Sequence, residues 1–147
     1  MHHRIRSTLS IAALVMLGLV AGTAQATGLV VHVDGLRDDE GSVSCGLFVG
    51  EAGFPDDDGS ARTQRHPARR SATVCRFEDV PAGRAAVAVS HDRNGNGRLD
   101  RNFLGIPREP WGVSNDVRPS LRPPRYAEAV FDVPASGVLE IRVAVAE

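Results

Sequence analysis

The sequence predicts an all-β protein. It reads as a single antiparallel β-sandwich of six to seven short strands, with one long loop between the fourth strand and a C-terminal hairpin. Two observations carry this prediction. Apolar and polar residues alternate with a period of two in several runs between residues 28 and 145, and turns rich in Gly, Pro and Asp separate those runs. Over the same span no stretch repeats its apolar residues at helical spacing, and about 120 residues suffice for one domain with a modest core.

The chain opens with the pattern of an export signal. Arg4 and Arg6 precede an apolar run over residues 9–20, and Ala24-Gln25-Ala26 supplies small residues for cleavage. The run is shorter than the roughly 20 apolar residues of a membrane-spanning helix. Residues 1–26 are therefore expected to be a signal peptide and residues 27–147 the β-sandwich domain, periplasmic or secreted. The chain has 17 Lys+Arg against 18 Asp+Glu, which becomes 15 against 18 once Arg4 and Arg6 are removed. This balance gives no electrostatic ground for a nucleic-acid partner.

Residues 28–36 are β-branched and predict the first strand, with His32 toward solvent. A polar turn over residues 37–41 leads to a second alternating strand at 42–49, expected to pair with the first as a hairpin. Residues 50–59 read as a loop. Its Asp56, Asp57 and Asp58 lack the alternate spacing of a cation loop and are expected to face water. The basic stretch 62–70, with His66, contains no aromatic residue on which bases would stack, and reads as a solvated connection with some strand character. Residues 71–77 and 84–90 predict the third and fourth strands around a turn at Pro81 and Gly83. Residues 126–133 and 138–145 then form the closing hairpin, with Glu140 and Arg142 in water.

Export bears on the two cysteines, Cys45 and Cys75. In an oxidising compartment an isolated pair is most simply a disulfide, which would stabilise the fold by roughly 3–4 kcal/mol in the chain-entropy model. The alternative is two buried thiols acting as small apolar groups.

Residues 90–115 carry the chemistry. Asp92, Asn94 and Asn96 alternate, Gly97 follows, and Asp100 comes three residues later. The first six positions match the start of an EF-hand calcium loop, in which Gly97 makes the sharp turn and Arg98 offers its main-chain carbonyl. Leu99 would anchor the loop to the core. Phe103 stands where a bidentate Glu belongs, and the loop leaves a strand, so this is no EF-hand. The missing oxygens would come from Glu109, Asn102, a carbonyl or water. With only Asp92 and Asp100 charged, the expected calcium affinity is weak, about 10⁻⁴–10⁻³ M. The competing reading is a plain turn built on Asn94-Gly95 and Asn96-Gly97.

The run A-V-A-V-S-H-D-R-N-G-N-G-R-L-D, together with F-E-D-V-P-A-G before it and G-F-P at residues 53–55, resembles a bacterial family of uncharacterised exported proteins. W-G-V-S-N at residues 111–115 and P-P-R-Y-A-E-A-V-F at 123–131 extend the resemblance. The family is catalogued as domain of unknown function 2141, and the likeness covers nearly all of residues 28–145. Val113 departs mildly from the aromatic residue common in that family. The resemblance implies a small β-sandwich of the transthyretin or carboxypeptidase-regulatory type and brings no established activity.

Two surfaces compete for function. His91 beside Asp92, with Ser90 and Ser114 nearby, suggests a hydrolase. Yet no nucleophile elbow accompanies them, and strand neighbours point to opposite faces, so no enzyme is expected. Trp111 and Tyr126, with Arg118, Arg122 and Arg125, resemble a contact set for a protein, small-molecule or glycan ligand. Alternatively, Trp111 folds back over the sandwich edge. The functional expectation is an exported binding or accessory module with a calcium loop, the alternative being a structural or adhesion-type domain without an ion.

Overall fold

A computed structural model describes residues 27–56 and 59–147. The expected export signal, and Asp57 and Asp58, lie outside the described residues. Among the described residues eight strands form two facing sheets, with β1 at Thr27–Asp34, β2 at Ser42–Phe48, β3 at Arg62–Pro67 and β4 at Val74–Val80. β5 at Gly83–Asp92 and β6 at Trp111–Val113 follow, then a 3-10 turn at Ser114–Asp116 and one helical turn, α1, at Tyr126–Ala129. β7 at Phe131–Val133 and β8 at Gly137–Ala144 complete the chain. One sheet runs β4-β1-β8 and the other β3-β2-β5-β6, with β7 also pairing to β5. Among the described residues no helix is long and apolar enough to cross a membrane.

Alternation places the core as expected. Leu29, Val31 and Val33 of β1 face Val43, Cys45 and Leu47 of β2 and Val87 and Val89 of β5 in one buried cluster. Cys45 and Cys75 form a disulfide within it, with a Cα–Cα distance of 6.5 Å. It ties β2 of one sheet to β4 of the other.

Pairing departs from expectation in four places. β1 and β2 are not a hairpin, because residues 35–41 carry the chain across to the opposite sheet. β8 pairs with β1 in parallel, and β7 pairs with β5, so the closing hairpin does not form. Residues 62–67 are a full edge strand, six consecutive residues pairing with β2. Its side chains are exposed or half-buried, so the stretch reads as polar although it is a strand. Tyr126–Ala129 is a helical turn rather than the start of a strand, closed at its N-terminus by the Glu128 carboxylate on the Arg125 amide (2.9 Å).

A second, smaller cluster forms on the outer face of the five-stranded sheet. Ala86, Val113 and Ala129 are buried there, with Phe54, Trp111 and Tyr126 packed against them. Ser114 and Asn115 hold this layer down. The buried Ser114 hydroxyl accepts the Val87 amide and donates to the Ala129 carbonyl, while the Asn115 amide donates to the carbonyls of Glu128 and Val130. The end of the long loop is thus a latch on the sheet, and Ser114 is spent on backbone.

Candidate functional site

β5 delivers its side chains alternately to two environments. Ala85, Val87, Val89 and His91 enter the core, whereas Ala86, Ala88, Ser90 and Asp92 face outward beneath the long loop. His91 is therefore sealed, with no exposed surface. Its Nε2 donates to the Glu40 carbonyl at 2.8 Å, and Nδ1 has no hydrogen-bond partner among the described residues. The Asp38 carboxylate is 3.8 Å from Nε2. The enclosed ring diverges from Asp92 as the strand period requires.

Asp92 is 2% exposed and organises the turn that follows. Its Oδ1 accepts the amides of Gly95 and Asn96, and its Oδ2 accepts that of Gly97. Three successive amides point inward because Gly95 and Gly97 adopt φ of +73° and +87°, a region that glycine enters freely. The Asn94 and Asn96 side-chain oxygens cap the amides of Asn96 and Arg98. Their nitrogens donate to the two oxygens of Asp100 at 2.6 and 2.8 Å. The Asn96 donor first, then Asn94 and the Arg98 guanidinium, hold the Asp100 carboxyl below the usual range, against a smaller opposing effect of burial.

The four side chains expected as ligands thus converge. Arg98, expected to lend a main-chain oxygen, sits on the same turn with its side chain in solvent. Leu99 is only half-buried and lines a cleft rather than anchoring in the core. Phe103 is 95% exposed at the tip of a tight return, where the Asn102 side chain accepts the Leu104 and Ile106 amides. That return brings back Glu109, which is 7% exposed. Glu109 accepts the Arg93 amide with one oxygen and the Asp100 amide with the other, joining both ends of the turn. Among the described residues no group of three or more His, Cys, Asp and Glu side chains is placed to hold a metal. An ion here would have to rely on two carboxylates, two side-chain amides and main-chain oxygen.

Beside the turn lies a cleft of about 620 Å³, within the range of small-molecule sites. Ser44, Gly46, Ala88 and Ser90 are small residues along its sheet side, and Trp111 stands among its lining. Arg65 of β3 joins the cleft to the turn, donating to the Gly97 carbonyl at 3.0 Å and lying 3.7 Å from the Asp92 carboxylate. Sequence reading missed Arg65 and the cleft itself. The only signal was the run of small residues at alternate positions of β2 and β5, which gains meaning once the loop is known to lie over that face. Tyr126 is a packing residue whose hydroxyl donates to the Arg84 carbonyl, and its own ionisation is pushed up, chiefly by burial. Arg118 lies over the Trp111 ring at 4.8 Å, and its nitrogens bond the carbonyls of Trp111 and Ala146.

The model of the family described as an uncharacterized protein conserved in bacteria (DUF2141) matches residues 31–142. The chain belongs to that family. The match runs from within β1 to within β8 and includes the turn and the latch. No curated protein and no solved structure matches the chain. Membership in DUF2141 assigns no activity.

Proposed function

We propose that this protein is an exported binding module in which calcium organises the turn over residues 92–100 and the adjoining cleft takes a ligand. The observation that carries this reading is the convergence of Asp92, Asn94, Asn96 and Asp100 at the edge of a 620 Å³ cleft. Calcium takes oxygen ligands in flexible geometry. The Asn94 and Asn96 amides, whose nitrogens now meet Asp100, would turn over to present oxygen, joined by the Arg98 carbonyl. Glu109 supports such a site from behind, fixing the turn's two ends. The disulfide and the N-terminal signal pattern support an oxidising, extracytoplasmic destination.

One observation favours the second reading, a structural domain without an ion. The carboxylates of Asp92 and Glu109 are already engaged by five backbone amides, so the turn holds itself. Thermal melting with calcium and with chelator separates the two. At a tenfold to hundredfold excess of calcium over Kd, the ion reading predicts a gain of about 1.4–2.7 kcal/mol in wild type. Asp100→Asn, which leaves every backbone contact of Asp92 in place, should abolish the gain. Equal melting in calcium and chelator would reject the ion and leave the self-held turn.

A further inference from the structure

We infer that the cleft on the outer face of the five-stranded sheet binds a single-chain amphiphile with an anionic headgroup. The inference rests on the reading of the protein as a binding module and names the ligand class of that site.

The cleft is polar at one end and apolar at the other. Strand register sets the order of residues along it. Phe48 lies opposite Ala86, Gly46 opposite Ala88, Ser44 opposite Ser90, and Ser42 opposite Asp92. Phe48, with Phe54 edge-on at 5.2 Å, closes one end, and Arg65 and Asp92 close the other. From Phe48 to Ser44 the strand rises about 13 Å, a length suited to an extended acyl chain rather than a compact polar molecule. Ser44, Gly46, Ala88 and Ser90 along this path carry small side chains, and the Phe48 ring, 3.2 Å from where a Cβ on Gly46 would lie, is its end wall. Leu104, Ile106 and Leu121 line the cleft yet stand 67%, 54% and 99% exposed. Apolar side chains left in water at the mouth of a cavity are what an amphiphile's chain would cover.

Charge selects the head. Residues 93–125 hold seven arginines against three acids. The rest of the chain is left with ten basic residues against fifteen acidic, so positive charge is concentrated in the segment that walls the cleft. Every basic residue counted is arginine, whose guanidinium fork suits carboxylate and phosphate oxygens. The cleft's carboxylates are already engaged: Asp92 by backbone amides, Asp56 by Arg101 and Glu147 by Arg37. Arg122 is held by Glu128, and Arg118 by backbone carbonyls. Among the described residues Arg65 and Arg98 retain open donors. Arg65 makes one hydrogen bond and a 3.7 Å ion pair, and Arg98 meets Asp100 only at 3.6 Å with its side chain 80% exposed. These two arginines, at the polar end, are assigned to the headgroup.

Trp111, the sole tryptophan, lines the cleft and reports occupancy by its emission. The purified protein would be titrated with laurate, dodecyl phosphate and dodecanol, each below its aggregation concentration, once with calcium and once with chelator. Laurate, dodecyl phosphate or both should give a saturable change, at least about tenfold tighter than dodecanol. Which anion binds tighter distinguishes a carboxylate from a phosphate ligand. Ala88→Leu, which fills the floor, should weaken all binding about tenfold. Arg98→Gln, on an exposed side chain that leaves the fold intact, should weaken only the anionic probes. No saturable change with either anion, equal binding of dodecanol, or anionic binding unaltered by Arg98→Gln would each overturn the assignment. Laurate binding without a calcium effect on melting would retain the cleft and reject the ion. A calcium effect on melting with silent Trp111 would do the reverse.

Discussion

Glu109 satisfies two backbone amides, those of Arg93 and Asp100, in a place with little access to water. Glu109→Ala would leave both donors without a partner, at a cost of about 2–4 kcal/mol, while retaining the fold of the two sheets. Urea unfolding measures the loss, and amide exchange should accelerate at Arg93 and Asp100 before it does in β1. Glu128 offers a test in pH. Its bidentate contact with Arg122 and the Arg125 amide hold its carboxyl at about 2, below the ordinary 4.5. A lowered folded value means that the contribution is complete above pH 4.5 and is lost as the pH falls toward 2. Carboxyl-carbon NMR should show that titration. In Arg122→Gln the titration should move back toward 4.5, and an unchanged midpoint would remove Arg122 as its main cause.

At the scale of elements, the connection from β1 to β2 positions the turn. Gly41 has φ of +67°, and a Cβ there would fall 2.0 Å from the Asp92 carbonyl oxygen. The chain crosses between sheets by running directly under the residue that organises the turn. Gly41→Ala should cost about 2–4 kcal/mol, combining left-handed strain with displacement of β5's end. The same variant should disturb the amide shifts of residues 92–97 more than those of β8. The 62–67 and 126–129 segments show the limits of local reading. β3 is an edge strand whose polar side chains face water, so alternation does not mark it. Tyr126–Ala129 alternates like a strand, yet the Arg122–Glu128 contact and the Asn115 latch close it as a helical turn.

For the whole molecule, the disulfide joins β2 to β4 across the sandwich and closes a sequence separation of 30 residues. The Cys45→Ala/Cys75→Ala double variant should lose roughly 3–4 kcal/mol in urea, with the slope showing whether the unfolded chain expands. The all-β class, this bond and the core faces of β1, β2 and β5 were legible in the sequence, because period-two alternation reports which side chains avoid water. Alternation is the same whether a strand's neighbour lies beside it or across the core. The crossing at residues 35–41 and the parallel β1–β8 pair were therefore hidden. The convergence of Asp92, Asn94, Asn96 and Asp100 was also legible, since hydrogen bonds over two to six residues depend on local spacing and glycine. Glu109's place beneath the turn, Arg65's approach from β3 and the cleft itself belong to the tertiary structure alone. Each joins segments that are distant in sequence, and only the packing of the long loop over the small side chains of β2 and β5 brings them together.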